Sequence, residues 1–98
     1  MTDENPKVTR IGQPESVPVF NCIVLLRRNE EGKHAARVGN FDGLTAIGSS
    51  EREALADIVK AFKAKMAEFH ERGEDPPFVD PPHAAAADEV TRWVPVHL

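Results

Sequence analysis

Only one cysteine, Cys22, stands in the sequence, so no disulfide within the chain can brace the fold, and such sparing use suits a reducing compartment. Long apolar runs are missing as well. The longest uninterrupted one, Cys22 to Leu26, falls far short of the roughly 18 residues that suggest a membrane span. The opening MTDENPKVTRIGQPES is polar and carries no apolar signal region, so a cytoplasmic protein without a membrane role is expected. Positive charge is in short supply too. Against 16 Asp and Glu there are 12 Lys and Arg, and the net charge of −4 gives no general attraction to nucleic acid or to anionic membrane. A basic partner suits this balance better. With 98 residues the chain has room for one domain and one modest core.

What is present has a clear order. Residues 1–16 are rich in charge, Pro and Gly without periodicity and read as a disordered arm, leaving 17–98 as the structured domain. From Val19 to Leu26 the run VFNCIVLL is apolar on both parities except at Asn21, as in a strand covered on both sides. NEEGK supplies a turn, and HAARV, His34 to Val38, a return strand. A short third strand, Leu44 to Ile47, sits between Gly43 and Gly48. The clearest element follows: Leu55, Ile58, Val59, Phe62, Met66 and Phe69 form one apolar stripe, predicting a helix from Glu51 to Arg72. Ser50 with Glu53 makes a capping box at its start, and Gly73 is placed to end it. Residues 73–89, with four prolines between Pro76 and Pro82, read as an extended connector without a PxxP docking pattern. Val90 to Leu98 closes the chain as a strand whose Pro95 confines it to a sheet edge.

Simple rules assemble these pieces. Strands joined by short turns pair antiparallel, so the third runs parallel to the first. A right-handed crossover through the helix would then return the last strand parallel to the third, at the free edge beside the first. The expected architecture is α+β in two layers, β-β-β-α-β, with a four-stranded mixed sheet of order 3-2-1-4 and one long helix on one face.

The stretch VGNFDGLTAIGSSEREALADI, followed by the long helix, Gly73 and the Pro-rich connector, resembles the HicB-like antitoxin domain, which has a partial ribonuclease-H-like fold. Gly43, Gly48, Ser50, Glu53, Ala54 and Leu55 match the family pattern, whereas Gly39 and Asp42 stand where it usually has prolines and Leu44 where it often has cysteine. The resemblance covers Phe20 to Leu98. It implies an antitoxin of a toxin–antitoxin system that binds a small ribonuclease toxin and blocks it. Family members often carry a DNA-binding segment after the last strand; the sequence ends at Leu98, and so a solitary protein-binding form without direct nucleic-acid contact is expected.

Catalysis is not expected. A two-metal nuclease needs carboxylates converging from neighbouring strands, and neither Val17 to Arg28 nor Val90 to Leu98 contains one. Gly43, Gly48, Ser49 and Ser50 imitate a phosphate loop, but no Lys follows, and Glu51 and Glu53 would repel an anion. His34, His70, His83 and His97 lack paired ligand spacing, so neither metal nor cofactor is expected. Cys22 reads as a buried small hydrophobe, and Lys60, Lys63, Lys65 and Arg72, interleaved with Asp57, Glu68 and Glu71, as a solvated helix face.

Parity gives the candidate site. Phe20, Cys22, Val24 and Leu26 share the face suited to the helix, together with Val94, Val96 and Leu98. One helix covers one face. Val19, Ile23, Leu25 and Trp93, with Arg37 at the rim, are therefore expected on an open face that binds a protein: a small basic toxin-like partner, or a second copy of the chain in a self-associating structural domain without a toxin. The plainer alternative folds the N-terminal arm across that face.

Overall fold

The computed structural model describes residues 18–98, and the arm expected at 1–16 lies outside the described residues. The order is β1 (Val19–Arg28), β2 (His34–Val38), β3 (Thr45–Gly48), α1 (Glu51–Arg72) and β4 (Val90–His97), with the sheet arranged β3-β2-β1-β4. Among the described residues this is an α+β fold with one helix on one side of a four-stranded sheet.

Local chemistry sets the joints. Between β1 and β2, the Asn29 side chain accepts from the amides of Glu31 and Lys33, closing the turn in which Gly32 takes a positive φ of 79°. Gly48, at the end of β3, lies so close to the helix start that a Cβ there would sit 2.6 Å from the Ala54 nitrogen. Ser50 Oγ then accepts from Glu53 N–H, while the Glu53 carboxylate reaches back to Ser49, not to Ser50, taking both its amide and its hydroxyl. Those donors hold the Glu53 carboxyl below its usual range. At the far end Gly73 is left-handed, with its N–H on His70 C=O and that of Glu74 on Phe69 C=O, a Schellman closure.

The main core lies between helix and sheet. Ala54, Ile58, Phe62 and Met66 pack on Cys22, Val24, Leu26, Ala36, Val38 and Val96. Burial pushes the Cys22 thiol up to about 12, so it stays protonated and inert among these side chains.

Two expectations are corrected. The sheet is antiparallel throughout and not mixed: β4 pairs with β1 in the register Val19 with His97 through Leu26 with Val90. The connector explains the reversal. The helix ends by the start of β1, where Phe69 meets Phe41 edge-on at 6.1 Å, and Phe41 and Phe20 both meet Phe78. A short link would start β4 there, parallel to β1. Residues 73–89 instead pass round this aromatic end and run back across the other face. Val79 N–H donates to Asn40 C=O and His83 N–H to Gly39 C=O, and Glu89 reaches Arg37. The chain is thereby delivered to the opposite end of the sheet before β4 begins.

The second correction concerns the supposedly open face. Ile23 is 6% and Leu25 1% exposed, because this strap lies over them; the nearest atoms around Gly39 are the His83 carbonyl oxygen and the side chains of Leu25 and Ile23. An irregular third layer thus covers part of what the two-layer reading left bare.

Candidate functional site

The face away from α1 is divided by the strap. On the β1–β4 side Val19 remains 52% and Trp93 68% exposed, with Asn21, Pro95 and His97 also exposed. These residues lie in adjacent rows, Val19 opposite His97, Asn21 opposite Pro95 and Ile23 opposite Trp93, and odd-numbered positions of both strands share one face. They form a continuous margin with one large aromatic, one proline ring and one branched aliphatic, and without a carboxylate among them.

Of the five residues expected at the interface, the structure brings Val19 and Trp93 to this margin. Ile23 and Leu25 lie beneath the strap and are not surface anchors. Arg37 is not a free rim charge. Its Nε and Nη2 donate to the two carboxylate oxygens of Glu89, each at 2.8 Å, and Nη2 also reaches Ala84 C=O at 3.4 Å. Glu89 further accepts from Ala86 N–H at 2.7 Å, and its side chain is only 5% exposed. The Arg37 guanidinium, ahead of the Ala86 amide and the more distant Arg27, draws the Glu89 carboxyl down to about 2 against the opposing effect of burial.

Beyond the strap, near β3, Ile47 is 61% exposed beside a shallow cavity of about 190 Å³ lined by Leu25, Arg27, Ala35, Thr45 and Glu89. Sequence parity does place Ile47 on this face. Strands β2 and β1, with the strap over them, separate it from Trp93 at the opposite edge.

Asn40 carries a role that composition does not reveal. Where the chain leaves β2, its Oδ1 accepts from Ile23 N–H and its Nδ2 donates to Asn21 C=O, so one amide side chain continues the ladder in place of a strand residue. The only advance signal is an Asn immediately after a strand and a Gly. Asp42 and His83, 2.8 Å apart and exposed, tie the β2–β3 loop to the strap. Among the described residues no group of three or more His, Cys, Asp or Glu is placed to hold a metal ion, and no helix is long and apolar enough to cross a membrane. The stretch that imitates a phosphate loop does structural work: Gly43, at φ 97°, makes the turn, and Gly48 admits the helix.

Comparison with protein-family models, curated proteins and solved structures finds no match.

Proposed function

We propose that the protein is a cytoplasmic interaction module of the HicB antitoxin type, which binds a small basic ribonuclease-like protein and blocks it by occlusion through the Val19–Trp93 margin. The observation that carries this reading is Trp93, 68% exposed on a regular strand with a second exposed apolar residue, Val19, on the same face. Large aromatics of this kind, once desolvated, dominate the energetics of protein interfaces. The net charge of −4 favours a basic partner, and the chain's resemblance to HicB-like domains supplies the class.

The test is capture from native extract by the wild-type protein and by Trp93→Ala, followed by an RNA-cleavage assay on the captured protein. Capture of a basic ribonuclease whose cleavage falls when wild type is added, with affinity weakened roughly thirtyfold by Trp93→Ala, is the expected outcome. Capture that ignores the substitution, or a captured protein that cleaves RNA equally well when bound, rules the reading out. A second reading, a self-associating structural domain, draws on a different feature, the outer edge of β4, which no other strand pairs with among the described residues.

A further inference from the structure

The directions of the backbone groups on β4 follow from its pairing with β1. Leu98 N–H donates to Pro18 C=O at 3.1 Å, and Val19 stands opposite His97. Hydrogen-bonded pairs therefore fall at Phe20 with Val96, Cys22 with Val94 and Val24 with Arg92. Odd-numbered positions of β1 face β2, as seen where Ile23 N–H donates to Asn40 and Ile23 C=O accepts from Gly39. By the same alternation Thr91, Trp93, Pro95 and His97 turn their backbone groups outward, away from β1. Pro95 lies on this outer side, so its missing N–H removes nothing from the sheet.

We infer that this edge is occupied by a second copy of the chain, β4 against β4 and antiparallel, about a two-fold axis perpendicular to the sheet. The inference builds on the interaction-module reading and gives it a geometry. Outward positions must meet outward positions, which leaves central registers at Arg92, Trp93 or Val94. Centring on Arg92 sets like charges directly opposite each other. Centring on Val94 points each Trp93 C=O at a Pro95 with no N–H, leaving two carbonyls without a donor. Centring on Trp93 avoids both faults. Thr91 then lies opposite Pro95 of the second copy, and the carbonyl that Pro95 cannot serve is that of Thr91, to which Arg92 Nη1 already donates at 3.3 Å.

In this register Trp93 exchanges N–H and C=O bonds with Trp93 of the second copy, and Thr91 N–H donates to Pro95 C=O in both directions. Arg92, held by Glu51 at 3.1 Å, faces Val94 of the second copy and meets no like charge. The two indoles become cross-strand neighbours with Cα atoms about 5.5 Å apart. Both apolar margins then merge into one platform on the face away from the helices, so the edge holds the second copy while the face stays open for the partner.

Thr91→Pro tests the pairing directly. It deletes an outward N–H for which the described residues of the chain offer no acceptor in the sheet. Sedimentation equilibrium of purified wild type should give a concentration-dependent dimer, with Kd raised at least about tenfold in Thr91→Pro and the circular dichroism unchanged. Wild type that remains monomeric up to about 0.5 mM, a concentration at which even a weak millimolar-range dimer would be seen, overturns the inference, as does a Thr91→Pro dimer as tight as wild type. Should Thr91→Pro fail to fold, hydrogen exchange on wild type decides: the Trp93 amide must gain protection as concentration rises, and its constant fast exchange is incompatible with the pairing. Self-association is read on the purified chain alone. Its failure therefore leaves partner capture from extract to stand or fall separately.

Discussion

Arg37 on β2 grips Glu89, the last residue of the strap, through two parallel hydrogen bonds of 2.8 Å, 52 positions apart in sequence. This fork is the clasp that closes the 73–89 segment over Ile23 and Leu25. Half-open on the Arg37 side and nearly buried on the Glu89 side, it gives the strap a geometry that a single-point lysine contact would not.

The clasp makes stability depend on pH with a definite sign. Glu89 is lowered from 4.5 to about 2 in the folded chain, so the unfolded state binds the proton more readily. Its contribution is present in full above the ordinary glutamate range and is lost as pH falls from about 4.5 through about 2. Glu89→Gln should therefore reduce stability at pH 7 by on the order of 1–3 kcal/mol, allowing for solvent screening at Arg37. Urea unfolding at a series of pH values should show the two proteins converging near pH 2; a difference that does not change with pH would contradict the assignment.

Asn40→Asp tests the side chain that substitutes for a strand residue. The acceptor toward Ile23 N–H survives, but the donor toward Asn21 C=O becomes a second acceptor facing an acceptor. A loss of about 1–3 kcal/mol is expected at neutral pH. Denaturant midpoints measure it, and an unchanged midpoint would show that the ladder does not need this amide.

Gly48→Ala should destabilise for a reason unrelated to backbone conformation. The new methyl would meet the Ala54 nitrogen at 2.6 Å and its Cα at 3.1 Å, both rigid backbone at the first turn of α1. Separating strand and helix to admit it costs about 1–3 kcal/mol, visible as a lowered thermal midpoint. If the midpoint holds, the helix is not seated on β3 as closely as described.

Phe62→Ala and Trp93→Ala should part company. Phe62 is fully buried under the sheet, and its removal costs about 3–5 kcal/mol, a large share of what so small a domain has. Trp93 is mostly exposed, so its truncation should change stability by less than about 1 kcal/mol. Chemical denaturation of both separates folding from recognition. A Trp93→Ala protein as unstable as Phe62→Ala would make Trp93 a core residue.

Much of this architecture is legible in one dimension. The stripe from Leu55 to Phe69, with Ser50 before it and Gly73 after it, defines α1 at the residues where it is found, since a helix is governed by contacts three and four positions apart and by its caps. HAARV is β2 at the expected bounds, whereas β1 runs two residues further than the apolar run, to Arg28, and β3 is shifted one residue, to Thr45–Gly48. Pro95 announces an edge strand. Parity puts Val96 inward and Trp93 outward.

The direction of β4 and the fate of Ile23 and Leu25 were decided only in three dimensions, and for one reason. An extended segment of residues 73–89 reaches about 50 Å at roughly 3.1 Å per residue, enough to retrace the whole sheet. Its composition says that it is extended; it has no period that says where it lies. Its course is set by contacts tens of residues away, Phe78 on Phe20 and Phe41, His83 on Gly39, Glu89 on Arg37, none of which leaves a local mark in the sequence. Local order follows from neighbours along the chain, but which apolar residues remain for a partner depends on where the least periodic segment comes to rest.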